Sequence, residues 1–426
     1  MLHFTPYKVF SYQNDTRDPL GFQTYRSRLT DRFYPQFTVN TTSPGSLGFF
    51  CWAVDFLDGE GFQPSSLDYA ARFRDVEILL GCMAARASKN AIVNITRYGR
   101  LPDRVTLREA QKPGYDLYTR LGYGILGFYR SMAVKWGLLQ TDGRLATRGM
   151  DLAKAWDARG GQGVPSFTSI ARNWLNGAAP LDRLGIREFD CFAPASVHWG
   201  LDERAVWNEI INAYGMAHPG ERPLWESPPP EQTLLLLEDE ATRPAFFADL
   251  ELRYGRHENL AASFAACSAF ERFTALVQFV FEWEYVNAGI AEGVRSEAPV
   301  LRAALAAETV KAAGVLAGRL NAIDQTWSLC DSLMAVSTYD SLRAAVVEHH
   351  MAHQAYKGAQ AYLTHDGVQL SGRVDAETVK RLAQGAGGDI AAGSAEGMLR
   401  RLVWAYRGEW FFKSASAWAR IAGRLS

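Results

Sequence analysis

Residues 135–156 read KWGLLQTDGRLATRGMDLAKAW, the pattern of a helix that runs into a tight turn and then into a second helix. The Asp142-Gly143 dipeptide predicts a two-residue hairpin turn, because both residues tolerate the positive φ angles that such turns need. Thr147 is placed to cap the second helix through its hydroxyl. The preceding letters, GILGFYRSMAVKWGLL, supply the first helix. We therefore predict a winged-helix-like segment.

The surroundings of this segment are basic. Between residues 97 and 148 the chain has ten Lys or Arg residues and four acids, a net charge of +6. A winged helix contacts nucleic acid through basic side chains on a helix and on its hairpin. The candidate phosphate-contacting residues are Arg130 and Lys135 on the first helix, Arg144 on the outgoing strand, and Arg148 at the start of the second helix. A few such contacts predict weak, strongly salt-dependent binding to double-stranded DNA.

The same helix has a second interpretation. It is rich in large apolar residues, which are typical of a packed core: Phe128, Tyr129, Met132, Val134 and Trp136. Winged helices also serve as protein–protein modules. The residues alone leave both a nucleic-acid role and a packing or partner-binding role open.

Helical periodicity dominates the rest of the chain, which predicts a mainly α, multi-helical protein with few short strands. Helices are predicted in GFQTYRSRLTDRFY (21–34), LGFFCWAVDFL (47–57), LDYAARFRDVEILLGCMAARA (67–87) and LDERAVWNEIINAYG (201–215). From residue 241 onward the chain consists mostly of long alanine-rich helices. The stretch LTHDGVQLSGR (363–373) predicts a small hairpin or an extended loop.

Composition divides the chain into four regions. We predict an N-terminal aromatic arm and helical region (1–95), the winged-helix-like basic segment (96–160), a linker with an acidic, proline-rich helical segment (161–240), and a C-terminal helical domain (241–426). The glycine-rich letters ARGGQGVPS (158–166) are typical of a linker. Residues 200–250 have ten acids and three arginines, a net charge of −7. This acidic segment is a candidate for docking a basic partner or for masking the basic segment.

The bulk composition limits the function classes. With 426 residues, 48% of them hydrophobic and 21% charged, the chain is an ordinary globular protein of more than one domain. A net charge of −1 excludes a protein whose whole surface binds nucleic acid or an acidic membrane. Twelve tryptophans favour broad buried surfaces, within the chain or against partner subunits.

Several features predict a cytoplasmic protein with no membrane association. The five cysteines form no CxxC pair, and their odd number favours reduced thiols. The first residues lack the pattern of a signal peptide. The longest apolar run, FTALVQFVFEWEYV, is interrupted by Glu282 and Glu284 and falls short of the roughly 18 residues of a membrane span.

One histidine cluster is a candidate for chemistry. In VVEHHMAHQAYKG (346–358), His349 and His353 stand four residues apart, with His350 between them. A helix places the first and last on one face, a spacing that suits zinc. A metal-dependent nuclease or hydrolase is therefore an alternative function. However, the HExxH order is absent, and a histidine-rich face at a subunit or nucleic-acid contact explains the same residues.

Other enzyme signatures are missing from the sequence. It has no GxSxG motif, no GxxxxGK[ST] loop and no GxGxxG motif after a strand. We therefore expect no catalytic residue, no bound metal and no cofactor, and we identify no small-molecule substrate.

The N-terminal third has a recognisable pattern. Residues 14–57 read NDTRDPLGFQTYRSRLTDRFYPQFTVNTTSPGSLGFFCWAVDFL. The elements Asp15–Leu20, Tyr34–Thr42 and Phe49–Trp52 resemble the start of an uncharacterised bacterial family associated with phage-defence and restriction gene clusters, although Gln36 stands where that pattern has glycine. Looser aromatic and helical similarity extends over most of the chain. The resemblance implies membership of a multi-gene defence module and assigns no functional residue.

Together these features predict a non-catalytic subunit of a bacterial anti-phage defence assembly. It would contact DNA through the basic segment and bind other protein subunits through aromatic helical surfaces. Two alternatives stay open. One is the metal-dependent nuclease or hydrolase that uses His349, His350 and His353, and the other is a helical scaffold without nucleic-acid contact.

Overall fold

The computed structural model describes residues 18–37, 41, 43–66, 68–87, 104–111, 124–160, 165–177, 180–182, 191–192, 201–237, 242–288, 299–359, 361, 363–368 and 410–422. Helices dominate these residues, which confirms the predicted mainly α fold. They are α1 (Phe22–Thr30), α2 (Pro44–Gly59), α3 (Tyr69–Ala87), α4 (Leu107–Ala110), α5 (Ile125–Lys135), α6 (Thr147–Asp157), α7 (Phe167–Leu175), α8 (Leu201–Ala217), α9 (Arg222–Glu226), α10 (Glu231–Leu234), α11 (Arg243–Arg253), α12 (Glu258–Ala288), α13 (Pro299–Asn321), α14 (Ser328–Met334), α15 (Tyr339–Tyr356) and α16 (Phe412–Ile421).

Four short strands form two antiparallel pairs within the described residues. Strands β1 (Arg104–Val105) and β2 (Leu181–Asp182) pair with Arg104 opposite Asp182. Strands β3 (Leu363–Thr364) and β4 (Gly367–Val368) form a hairpin, one of the two alternatives that the sequence left open, with Leu363 opposite Val368. Residues 369–373 of that stretch lie outside the described residues.

The chain forms two compact units, each assembled from separate segments. The first comprises Met1–Phe33 with Pro229–Trp410, and the second comprises Tyr34–Pro228 with Phe411–Ser426. These units are defined by which residues pack together and combine distant segments. The four predicted regions are continuous stretches defined by composition, so the two divisions cannot be compared directly. The four-region division therefore stays a prediction.

The first unit is organised around α12. Helices α1, α11, α13 and α15 pack against it. Its buried Glu271 accepts hydrogen bonds from Arg26 of α1 at 3.2 Å and from the indole of Trp410 at 2.7 Å. Arg243 of α11 lies 3.9 Å from the other carboxylate oxygen. Buried charges require such partners, so one acidic residue ties three chain segments to the central helix.

Helix α12 is long and apolar enough, by length and composition, to cross a membrane between Glu258 and Phe281. However, 72% of its most apolar window is buried inside the protein. Such burial is typical of the core helix of a soluble protein.

The second unit has a core built from aromatic side chains. Helix α2 is buried along most of its length, and its Trp52 packs against Trp156 of α6 and Phe167 of α7, with ring centroids 5.5 and 4.6 Å apart. A second cluster joins Trp136 to Tyr214 of α8, at 4.7 Å, and to Trp418 of α16, at 5.1 Å. These tryptophans therefore fill the interior of the unit.

The linker prediction for residues 158–166 is wrong for the first three of them. Residues Ala158–Gly160 form a 3-10 turn that continues α6. The guanidinium of Arg159 donates two hydrogen bonds to Glu203 in the first turn of α8, at 2.6 and 2.7 Å. Both side chains are fully buried. The start of the supposed linker is therefore a structural junction, and residues 161–164 lie outside the described residues.

We predict that Arg159→Ala lowers the free energy of unfolding by about 3–5 kcal/mol, because it leaves the Glu203 carboxylate buried without its partner. Urea unfolding of the purified protein measures the loss. The matched control is Arg172→Ala, which removes a pair of similar length, 2.7 Å to Glu60, whose side chains are 56% and 30% exposed. It should cost less than about 1 kcal/mol. Equal losses for the two variants would contradict the assignment of Arg159 as a buried anchor.

Candidate nucleic-acid interface

The quoted stretch folds as a helix, a minimal hairpin and a second helix. After α5, Leu139 and Leu145 form an isolated antiparallel bridge. The Gln140 amide donates to the Arg144 carbonyl at 2.8 Å, and the Gly143 amide donates to the Gln140 carbonyl at 3.0 Å. The loop therefore has three residues, 141–143, and not the predicted two. Gly143 has a φ of 89°, the left-handed conformation that commonly ends three-residue hairpin loops.

Helix α5 has two distinct faces. Tyr129, Met132 and Ala133 are buried, as the packing interpretation of this helix requires. Gly127, Arg130, Ser131 and Val134 are exposed, at the spacing i, i+3, i+4, i+7 of a single helix face. Val134 is 42% exposed although it is apolar. The core prediction is thus confirmed for one side of the helix, and the other side is open to a partner.

All four predicted phosphate-contacting residues, Arg130, Lys135, Arg144 and Arg148, are exposed. Arg130 extends from α5 toward the hairpin, since its Nη2 lies 3.7 Å from the position that a Cβ on Gly143 would occupy. Arg144 follows directly in the hairpin. The hairpin turn therefore brings Arg130 close to the outgoing strand.

Lys135 is exposed, but its ammonium group already has a hydrogen-bond partner within the protein. Its Nζ donates to the Pro35 carbonyl at 2.6 Å. It also lies close to Glu221, whose pKa is raised by burial and lowered by the Tyr214 hydroxyl and by the charges of His218 and Lys135. One basic residue of the segment is thus electrostatically coupled to one acid of the acidic segment, and the masking hypothesis stays a prediction.

The start of α6 differs from the prediction. Ala146, and not Thr147, is the N-cap residue, and no side chain caps the helix. The first turn has no acidic residue, and it contains the exposed Arg148. Gly149 is required at this point, because a Cβ there would lie 2.2 Å from the Leu138 carbonyl oxygen. The close approach holds the first turn of α6 against the incoming side of the hairpin.

The other basic residues of the segment divide into two groups. Arg104 and Arg108 are also exposed. The remaining four, Arg97, Arg100, Lys112 and Arg120, lie outside the described residues.

The start of α5 is held by a residue that the sequence analysis missed. The Glu77 carboxylate, on α3, accepts a hydrogen bond from the Ile125 amide at 2.7 Å. Gly124, the N-cap of α5, offers no side chain for this purpose, and a Cβ on it would lie 2.6 Å from Glu77 Oε2. Burial raises the pKa of Glu77 to about 7, although the Ile125 amide and Arg74 oppose that shift.

The histidine cluster of α15 lies in the first unit and contacts backbone. His349 Nε2 donates to the Leu20 carbonyl at 2.8 Å, and His350 Nδ1 donates to the Pro19 carbonyl at 2.9 Å. Burial lowers the pKa of His350 to about 4, so its ring is neutral at neutral pH. His353 packs closely against Gly21. Among the described residues, no group of three or more His, Cys, Asp or Glu side chains is arranged to hold a metal ion.

These histidines therefore clamp the loop before α1 to α15. The metal-dependent alternative gains no support from the described residues, since no third potential ligand is grouped with these histidines there.

Comparison of the chain with protein-family models, with curated proteins and with solved structures finds no match. The resemblance to a phage-defence family stays a prediction from the sequence.

We predict that Glu77 contributes a component of the stability that falls as the pH rises through the interval from about 4.5 to 7, and that Glu77→Gln removes this component. The folded state keeps a proton on Glu77 in this interval, whereas the unfolded chain releases it, so folding is favoured at the lower pH. The shift of the pKa corresponds to about 3 kcal/mol.

Urea unfolding of wild type and Glu77→Gln at about pH 4.5 and pH 7.5 tests this. The difference between the two proteins isolates the contribution of Glu77 from those of other titrating groups. A difference that is the same at both pH values would show that Glu77 does not titrate in the interval.

Proposed function

We propose that the protein contacts double-stranded DNA through Arg130, Arg144 and Arg148, as a non-catalytic subunit of a cytoplasmic bacterial anti-phage assembly. The observation that supports this most directly is the exposure of Arg130 on α5, Arg144 in the hairpin and Arg148 in the first turn of α6. Exposed arginines offer guanidinium groups to phosphates. We name these three residues the basic surface.

The proposed binding is electrostatic and independent of sequence. On B-form DNA each neutralised phosphate contributes about 0.9 to the slope of log affinity against log salt. Three contacts would therefore weaken binding about 40-fold between roughly 50 and 200 mM salt. Phosphate contacts position a protein on the duplex without reading bases. The protein would accordingly depend on its partners for selectivity.

Three further points concern the proposed setting of this activity. The assignment to a defence assembly rests on the resemblance of residues 14–57. The cytoplasmic location agrees with the five cysteines, which are thiols in the structure. The partner-binding role rests on exposed apolar side chains beside the basic surface, Val134 and Met150, which are 42% and 37% exposed.

We predict that Arg144→Ala/Arg148→Ala binds a labelled DNA duplex more weakly than wild type and with a salt slope that is smaller by about 2, because two phosphate contacts are lost. Fluorescence anisotropy at roughly 50 and 200 mM salt measures both quantities.

The matched control is Arg253→Ala/Arg256→Ala, which removes two exposed arginines of the first unit. It has the same net charge as the test variant, so a general charge effect would lower binding equally in both. Equal losses, or no binding by wild type at low salt, would reject the proposal. The second result would favour the helical scaffold without nucleic-acid contact.

We predict that Lys135→Ala loses less DNA affinity than either Arg144→Ala or Arg148→Ala. The Lys135 ammonium already donates to the Pro35 carbonyl and lies close to Glu221, so a phosphate would have to compete with both. The same anisotropy titration compares the three single variants. A loss for Lys135→Ala as large as that for Arg148→Ala would show that Lys135 belongs to the contact surface on equal terms.

A further inference from the structure

The first unit contains a cavity of about 560 Å³, a volume typical of small-molecule sites. One wall is α13, which contributes Ala303, Ala306, Ala307 and Val310. These positions follow the spacing i, i+3, i+4, i+7, so they form one helix face. The opposite wall is the segment 336–340 that leads into α15. The cavity exists because small side chains occupy a helix face where larger ones would fill the space.

Arg302 gives this apolar cavity a positive charge. Its guanidinium lies over the Tyr339 ring, 5.4 Å from the centroid. Its Nε is buried without a hydrogen-bond partner. No ion pair or hydrogen bond joins Arg302 to any other residue in the described part of the chain. Buried polar groups without partners are uncommon in native proteins.

The buried acid that holds the Tyr339 hydroxyl is already engaged. Glu284 accepts a hydrogen bond from the Tyr339 hydroxyl at 2.8 Å and another from Arg343 at 2.7 Å. Its charge is thus matched by Arg343, and the Tyr339 ring is fixed beneath Arg302. Asp340, the acid that lines the cavity, is exposed to solvent. Within the described residues the Arg302 guanidinium therefore has no ion-pair partner, and the cavity that it lines is mainly apolar, with Ser337, Thr338 and Asp340 as further polar lining residues.

We propose that this cavity binds a small organic carboxylate with a short aliphatic body. The planar guanidinium of Arg302 matches the geometry of a carboxylate. The alanine and valine wall would bury the aliphatic part. A single cation suits a monoanion better than a doubly charged phosphate. The residues that form this site all belong to the first unit, and none of them is an arginine of the basic surface.

Isothermal titration calorimetry with hexanoate tests the proposal, with hexylamine and hexanol as probes of opposite and zero charge. We expect saturable binding of hexanoate by the full chain and markedly weaker binding of the other two. Arg302→Gln should weaken hexanoate binding about tenfold or more, because a charged hydrogen bond is lost. Arg319→Gln, on an exposed face of the same helix, is the matched control and should bind as wild type does.

A second variant tests the cavity itself. Ala307 is exposed at the cavity wall, so Ala307→Leu can fill the space without disturbing the core. It should abolish hexanoate binding while thermal unfolding stays as in wild type. The proposal is overturned if wild type shows no saturable hexanoate binding, if hexylamine binds equally well, or if Arg302→Gln and Ala307→Leu both bind as the Arg319→Gln control does.

Discussion

The ion pair between Arg159 and Glu203 is the constraint on which the candidate interface depends. It joins the end of α6 to the start of α8, and both side chains are withdrawn from water. Such a pair tolerates little displacement, because each charge would lose its partner in a medium that cannot solvate it. Helix α6 is thereby fixed at its C-terminal end, while Gly149 fixes its first turn against the hairpin. Arg148, in the first turn of α6, is therefore presented from a helix that is held at both ends.

The two interpretations of α5 describe opposite faces of one helix. Its aromatic residues do form core contacts, and Trp136, just beyond its end, stacks on Tyr214. The same burial turns Arg130, Ser131 and Val134 outward. A helix that is rigidly packed on one side is well suited to present a polar surface on the other, because exposed side chains on a rigid element lose less freedom when they bind. Packing and binding are therefore complementary roles here.

The sequence predicted what depends on local pattern and missed what depends on distant partners. Helical periodicity located α2, α3 and α8, and the Asp142-Gly143 dipeptide located the hairpin. Glu77 could not be identified, because its partner is a backbone amide 48 residues away that leaves no mark in the sequence. The histidines of α15 suggested a zinc site because of their spacing. The hydrogen-bond partners of His349 and His350 are the distant backbone carbonyls of Leu20 and Pro19, which the sequence does not reveal. Arg159 lies in a glycine-rich stretch that is typical of a linker. Only its pairing with Glu203, 44 residues away, shows that it is a structural residue.

The two proposed anion sites differ in the physical term that favours binding. The basic surface is exposed to solvent, so binding there draws on the release of counterions from a long polyanion, and a single small anion gains little. Arg302 is partly buried beside a neutral ring, where charge interactions are less screened and an apolar body can be buried at the same time. A small carboxylate gains from both effects, whereas a DNA phosphate cannot bring an aliphatic body into the cavity. Burial of the guanidinium, rather than its charge alone, therefore decides which anion each site prefers.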